Sequence, residues 1–559
     1  MTDPANQFQT HFVLEIRQPF RLISYWKRLS LVSSGLSGYT SASSLSNTIF
    51  RHILPQDFLL FTTLMHTEIE LKLTIDPAHV KRLRCHPVLK SMVQDKPRRH
   101  KLHSVYFDTP EQDLLRAGFA LRLRRMSGCW VQTVKGGGSA EGGLHRRNEW
   151  EWPVRGGKPE PAPSTAPDLA QLLTPKLLAR LRPLFVTDFW RTFWQLRTAQ
   201  GDEIEMALDL GEVHAGDRCR PISEVELELK AGEAASLFEV ALAIQKQVPL
   251  WVEDISKAQR GYLLCSGETS PPRMAQPVGL APEMPVVQAL QRIAGECLAQ
   301  LQGNVAKLGQ DPEYMHQARV AVRRLRSALS LFGVVLPEAL VGVMTELRWL
   351  MGYLGPARDW DVFVTQTLPQ IAEQLADNRA LVRLQADAAG LRDAHRQAAL
   401  EAVLSQRYTR LVLTLGLQLV RQANSSGKPV ALCELATQTL TRQHKHVRRK
   451  GRRHAELNMA EHHALRIAAK KLRYAAEFFA GIYPHKRARL YLAALATLQN
   501  VLGALNDAAV TQRLLAELSA PRGQATGIVI GWTARSSQVS LQQVHQAWRN
   551  FTRQKVFWK

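Results

Sequence analysis

Between residues 67 and 230 the chain repeatedly alternates charged with apolar side chains, and this pattern restricts its fold more than any other feature. Glu224, Glu226 and Glu228 alternate with Val225, Leu227 and Leu229, and the run ends at Lys230. Successive side chains of a strand point to opposite faces, so the carboxylates share one face and the aliphatic chains the other. Segments 67–73, 120–125, 130–135, 148–154, 203–209 and 224–230 all alternate in this way. Helical spacing at 77–91, 174–184 and 234–247 separates some of them. Many short strands with charge on one side predict a closed antiparallel barrel with helices outside and an α+β fold class.

Both signs of charge recur on the polar faces. Glu68, Glu70 and Lys72 share one face of the first strand, and Arg122 and Arg124 alternate with Leu121 and Leu123. Gln132 and Lys135 fall on the next strand, and Arg147, Glu149 and Glu151 alternate after that. Adjacent carboxylates repel one another and need water or a cation beside them. A cavity holding both sets suits a phosphate chain bound through divalent metal on one side and through Lys and Arg on the other. Hard cations such as Mg²⁺ take oxygen ligands, usually one or two carboxylates plus substrate phosphates. The sequence shows neither a Ser-His-Asp arrangement nor a P-loop.

From about residue 285 onward the spacing is helical throughout, predicting an all-α second half. This half repeats. HQARVAVRRLRSALSLF at 316–332 aligns without gaps on HALRIAAKKLRYAAEFF at 463–479, and LGPARD at 354–359 matches LGALND at 502–507. A duplicated helical unit accounts for the agreement in type, order and spacing. On a helix, His316, Arg319, Arg323 and Arg326 line one face, and His463, Arg466, Lys470 and Arg473 line the corresponding face of the second copy. Such cationic stripes repel themselves unless an anion bridges them.

Composition agrees. Lys plus Arg number 72 against 49 Asp plus Glu, a formal net charge of +23, which predicts a polyanionic partner. Aromatic RNA-binding sheets, zinc fingers and a helix-turn-helix are not evident, so a specific nucleic acid is not expected. The 6 cysteines form no CxxC motif, and a reducing cytoplasm is the expected location. No apolar run reaches the ~18 residues of a membrane span, so no membrane partner is expected. Residues 1–64 have few acids, a Ser/Gly/Thr-rich middle and no sustained period, and are read as a disordered extension outside the folded unit. The expected organisation is a barrel over 65–265, a Pro-rich linker over 266–284 and a helical domain over 285–559.

The first half resembles the CYTH superfamily of triphosphate tunnel enzymes. The residues that carry the likeness are Glu68-x-Glu70-x-Lys72, Tyr106-Phe107-Asp108-Thr109, Leu121-Arg122-x-Arg124, Thr133-x-Lys135, Arg147-x-Glu149, Asp209-x-Gly211, the Glu224/Glu226/Glu228 strand and Ser256-Lys257. The resemblance implies an eight-stranded tunnel that hydrolyses inorganic triphosphate with Mg²⁺ or Mn²⁺. Glu68, Glu70, Glu224, Glu226 and Glu228 would then supply the metal ligands. Lys72, Lys135, Arg122 and Arg124 would form the catalytic set, and Arg147, Arg191 and Lys257 would hold the substrate. Adenylate cyclase and thiamine triphosphatase activities use the same apparatus, and a non-enzymatic binder of polyphosphate or nucleic acid is a further alternative. The second half resembles a CHAD domain, built from two related helical bundles. This resemblance implies binding of inorganic polyphosphate by the two stripes, with no metal role for their histidines.

Overall fold

The computed structural model describes residues 66–126, 129–267, 270–333, 339–375, 378–423, 431–518 and 523–559. The extension read over 1–64 lies outside the described residues.

Eight long strands form the first half: β1 (His66–Thr74), β2 (Arg98–Asp108), β3 (Phe119–Met126), β4 (Cys129–Glu141), β5 (Leu144–Val154), β6 (Arg182–Arg197), β7 (Glu203–Ala215) and β8 (Arg218–Ala231). Their order is β5-β4-β3-β2-β6-β7-β8-β1, and β1 pairs back onto β5, with Glu68 opposite Arg147. Every pairing is antiparallel, so the sheet is a closed eight-stranded barrel. A two-residue strand, β9 (Trp251–Val252), adds to β1.

The alternation decides which face goes in. The outward aliphatic residues Leu71, Leu73, Leu208, Val225 and Leu227 are buried beneath α1 (Ala235–Gln245), against Leu237, Phe238, Ala241 and Ile244. On the other side, Leu121, Leu123, Val134, Trp150 and Trp152 pack against Leu169 and Leu173. Burying both apolar layers outside the barrel leaves the charged faces to line its interior.

Helix α2 (Lys257–Ser266) starts at a capping box made by Ser256 and Gln259. It packs into the end of the barrel where β2 finishes and β6 begins. There Tyr262 meets Phe185 edge-on at 5.2 Å and donates to Asp108 at 2.8 Å. A Cβ on Gly261 would lie 2.1 Å from the Phe185 ring, so this close approach requires glycine.

The second half is helical: α3 (Val286–Val305), α4 (Pro312–Leu331), α5 (Ala339–Val362), α6 (Arg379–Leu404), α7 (Gln406–Ala423), α8 (Leu432–Lys450), α9 (Met459–Phe479), α10 (His485–Glu517) and α11 (Gln524–Arg553). The two repeated segments are α4 and α9, capped by Asp311 and Asn458 respectively. Helix α4 packs between α3 and α5, α9 packs between α8 and α10, and α4 meets α9. Helix α10 has the length and apolarity of a membrane span, yet Tyr491, Leu495, Leu498, Leu502 and Leu505 are buried in the helical core.

The two halves are joined by packing as well as by chain. Leu413 and Leu417 of α7 belong to the apolar cluster under α1. Gln245 donates to the Gln406 carbonyl at 2.6 Å, and the Trp251 indole donates to the Leu404 carbonyl at 2.7 Å.

Candidate active site

The interior of the barrel opens into a cavity of about 950 Å³. Its wall carries Glu68, Glu70, Lys72, Arg122, Arg124, Lys135, Arg147, Arg191, Glu226, Glu228 and Lys257. Eleven of the twelve barrel residues singled out from the sequence therefore meet in one space. The twelfth, Glu224, lies on the same strand face as Glu226 but is fully buried and does not line the cavity.

The charges form two nests. In the first, the Lys257 ammonium lies 2.8 Å from Asp209, 2.6 Å from Glu224 and 2.7 Å from Glu226. Arg191 grips Asp209 through two bonds of 2.8 and 2.7 Å and reaches Glu226 at 2.5 Å. Lys72 bonds Glu70 at 2.9 Å and also pairs with Glu226, while Arg260 takes Glu224 at 2.5 Å. In the second nest, Lys135 pairs with Glu68 at 2.6 Å and Glu149 at 3.1 Å. Arg122 lies 3.5 Å from Glu149 and from Glu151.

Titration follows from these contacts. Burial disfavours the charge on Lys72, Lys135 and Lys257, but their carboxylate partners outweigh it and the pKa of each is raised. Burial likewise opposes ionisation of Asp209 and Glu226, yet the surrounding cations hold both below the usual carboxylate range. Two groups go against their surroundings. Burial, then Arg122 and Arg191, push Arg124 down to about 9, and its Nε donates to Ser104. Burial raises Glu228 despite its pair with Lys230 at 2.5 Å, and Glu68 and Glu205 raise it further. The cavity thus holds a cation beside other cations and a carboxylate beside other carboxylates.

Asp209, Glu224 and Glu226 bring their oxygens within 4.8 Å of one another, as a metal site requires. The Lys257 ammonium already stands among these three. Glu68, Glu70 and Glu228 line the cavity as Glu226 does, each with a strand lysine beside it (Lys135, Lys72 and Lys230), and Glu70 lies directly across from Glu228 on the neighbouring strand. Their all-oxygen set and the raised Glu228 fit a hard divalent cation.

The helical stripes also converge. Burial lowers Arg319, and Arg323 on the same helix and Arg466 across the contact between α4 and α9 lower it further. Burial, Arg466, Arg323 and Arg319 bring Lys470 down to about 7. Arg319, Arg323, Arg466 and Lys470 therefore form one cluster rather than two separate rows. Three of the remaining stripe residues have other neighbours: Arg473 bonds Glu477 at 2.7 Å, His463 bonds Asn506 at 2.6 Å and Arg326 senses Arg348, whereas His316 senses Arg358 and also Arg323 and Arg319 of the cluster.

Asp359 and Asp507, not chosen as site residues from the sequence, flank this cluster. Asp359 pairs with Arg319 at 3.3 Å and Arg513 at 2.6 Å, and Asp507 lies within the fields of Arg466 and Lys470. Their shared place at the ends of LGPARD and LGALND was the available signal.

Comparison with known proteins accords with this architecture. Residues 66–262 match the CYTH domain and residues 292–516 the CHAD domain. An inorganic triphosphatase of Haemophilus influenzae is 34% identical over 205 residues, covering 36% of this chain and 56% of that protein. The crystal structure of a CHAD domain from the plant Ricinus communis is 36% identical, covers 50% of this chain and 97% of that one, and has a TM-score of 0.46. A Hippeastrum protein, titled an adenylyl cyclase with dominant triphosphatase activity, is 18% identical over 36% of this chain and 98% of its own, with a TM-score of 0.25. The chain carries a CYTH domain followed by a CHAD domain and belongs to the proteins that join the two.

Proposed function

We propose that the barrel hydrolyses inorganic triphosphate to diphosphate and phosphate with a divalent cation, and that the helical cluster binds inorganic polyphosphate. The observation that carries the first reading is a single cavity whose wall sets Lys72, Arg122, Arg124 and Lys135 beside Glu68, Glu70 and Glu228. A bound polyanion would supply the counter-charge that Arg124 lacks beside Arg122 and Arg191, and a divalent cation would do the same for Glu228 beside Glu68 and Glu205. An anion alone would meet the carboxylates, and a metal alone would meet the arginines.

In this reading Glu68, Glu70 and Glu228 hold Mg²⁺ or Mn²⁺ from one wall. Lys72, Arg122, Arg124 and Lys135 contact the reacting phosphate, and Arg147, Arg191 and Lys257 hold the rest of the chain. The cation, when bound, neutralises charge on phosphate oxygens and acidifies coordinated water. The protein's own contribution is preorganisation: the carboxylates already fix its lysines and arginines, so little reorganisation accompanies the growth of negative charge on the leaving diphosphate. No covalent nucleophile is needed. Water adds to the terminal phosphorus as the anhydride P–O bond breaks.

Phosphate release from triphosphate, long-chain polyphosphate, ATP and thiamine triphosphate, with and without Mg²⁺, tests the proposal. Triphosphate is expected to be the fastest substrate, with turnover abolished by chelation. Faster release from ATP or thiamine triphosphate would replace this reading with an organic-triphosphate activity, and cyclic AMP as product would replace it with the cyclase.

For the helical cluster, reversing charge in one copy (Arg319→Glu with Arg323→Glu) is expected to weaken polyphosphate binding on the order of a hundredfold, through lost charge-assisted bonds to phosphate. The matching pair (Arg466→Glu with Lys470→Glu) should do the same. Because all four residues share one site, the quadruple change should fall well short of the sum of the pairs. Calorimetric titration of the full chain decides it, and strict additivity would mean two independent rows. Affinity should also fall as pH rises above about 7, because Lys470 must take up a proton to meet the anion.

A further inference from the structure

The cavity runs beyond the barrel. At one end of the strands it is lined by Glu151, Glu228 and Lys230. At the opposite end it passes residues 136–140 of β4 and reaches Arg273, Glu296, Ala299 and Gly303. These last four belong to the segment after α2 and to α3, which packs against β4. The cavity thus includes a wall that the barrel does not supply.

The segment bearing Arg273 was expected to be a plain linker, but it is tied down along its described length. The fully buried Asn304 side chain accepts from the Arg273 N–H at 3.1 Å and donates to the Arg273 carbonyl at 3.0 Å. Lys307 and Tyr314 both donate to the Ser270 carbonyl, at 3.0 and 2.6 Å. The Arg273 side chain lies across Gly303, where a Cβ would come within 2.9 Å of its Cδ. Its guanidinium pairs with Glu296 at 3.1 Å, and Glu296 also accepts from the Gln276 N–H at 2.9 Å. An arginine whose backbone is clamped by a buried amide, whose own side chain is 43% exposed and whose only ion pair among the described residues is with Glu296, keeps its position while its guanidinium stays open to a second partner.

We propose that Arg273 forms an outer phosphate subsite, contributed from outside the barrel, that takes the distal phosphates of a linear phosphate chain longer than triphosphate. The subsite rests on the reading of the barrel as a phosphate-chain hydrolase. Its residue lies on the same continuous cavity as the clamp but beyond the strands that hold the clamp, so a triphosphate seated among Lys72, Arg124 and Lys135 leaves it to Glu296. A longer chain extends past residues 136–140 and displaces that carboxylate. Arg273 is a specificity residue in this scheme, setting affinity for chain length without touching the reacting phosphorus.

The test compares wild-type, Arg273→Ala, Arg273→Lys and Glu296→Gln full-length chains on inorganic triphosphate and inorganic tetraphosphate. Arg273→Ala is expected to raise KM for tetraphosphate roughly tenfold, the loss of one charge-assisted contact, with kcat unchanged and triphosphate kinetics within about twofold of wild type. Arg273→Lys should recover part of the loss, and Glu296→Gln should lower the tetraphosphate KM. Equal effects on both substrates, or none on either, would overturn the subsite. Calorimetric titration with tetraphosphate, in a background carrying Arg319→Glu and Arg323→Glu, reads the same difference without turnover. An inactive wild-type enzyme would therefore refute the hydrolase reading alone, whereas identical tetraphosphate affinity with and without Arg273→Ala would refute the subsite.

Discussion

Replacing Glu68 with glutamine is expected to lower triphosphate turnover at saturating Mg²⁺ by about a hundredfold or more, roughly 2.7 kcal/mol of transition-state stabilisation, while the thermal midpoint moves by only a few degrees. The structural cost is small because Lys135, the partner of Glu68 at 2.6 Å, keeps Glu149 at 3.1 Å. Glu70→Gln should behave alike, since Lys72 retains Glu226. The rival account makes these glutamates simple counterions for the lysines. In that case each amide would remove a negative charge from an anion site, lowering KM and leaving kcat near wild type. Steady-state kinetics across a Mg²⁺ titration separates the two: a metal ligand moves kcat and the metal midpoint, a counterion moves KM in the favourable direction. Near-wild-type kcat in either variant at saturating Mg²⁺ would sink the metal assignment.

The barrel was legible where the two strand faces differ in chemistry. β1, β3, β4, β5, β7 and β8 each set charged or polar residues against aliphatic or aromatic ones, and each contains one of the alternating segments read from the sequence. β2 and β6 were not read this way, for different reasons. β2 opens with Arg98, Arg99, His100 and Lys101, all exposed, so its first half has no inner and outer chemistry to compare. β6 carries Phe185, Val186, Phe189, Trp190, Phe193 and Trp194, apolar on both faces, which erases the period of two. The helical spacing at 174–184 was cut short because that strand begins at Arg182. The helix expected over 77–91 is a 3₁₀ turn and two short helices, the second starting at Pro87. Alternation placed the five glutamates read as metal ligands on polar strand faces but could not rank them. What separates Glu224 and Glu226 from Glu68, Glu70 and Glu228 is the Lys257 ammonium, supplied by α2 from outside the barrel strands. Nor could a one-dimensional repeat show that its two stripes face each other, since that depends on α4 meeting α9.

Lys257→Met should change both how stable the protein is and how stability depends on pH. Four cations, Lys72, Arg191, Lys257 and Arg260, face Glu70, Asp209, Glu224 and Glu226 in the first nest. Methionine keeps most of the unbranched side chain, one heavy atom shorter, and removes the one charge that three of these carboxylates share. Breaking a buried pair by removing one partner costs about 3–5 kcal/mol. The lower end applies, because Asp209 keeps Arg191, Glu226 keeps Arg191 and Lys72, and Glu224 keeps Arg260. About 3 kcal/mol corresponds to a fall in midpoint on the order of 10 °C for a domain of this size. In the wild type, Asp209 and Glu226 have folded-state pKa values below their unfolded ones. They therefore contribute stability that is present above about pH 4 and lost as pH falls. Without Lys257, burial dominates and pushes at least one of the three carboxylates above its unfolded value. The folded variant then binds more protons than the unfolded chain, and its stability falls as pH rises from 5 to 8, a range over which these groups leave the wild type flat. Thermal unfolding at both pH values gives the readout, and a loss of equal size at each would mean that Lys257 acts through packing alone. The vacated position also has a consequence for metals. With the ammonium gone, the oxygens of Asp209, Glu224 and Glu226, within 4.8 Å of one another, become a carboxylate cage suited to a hard cation. Mn²⁺ should then raise the variant's midpoint at pH 8 by more than it raises that of the wild type, because a divalent ion binds the emptied nest only in the folded chain. Equal Mn²⁺ effects on the two proteins would show that Lys257 does not stand in a cation's place.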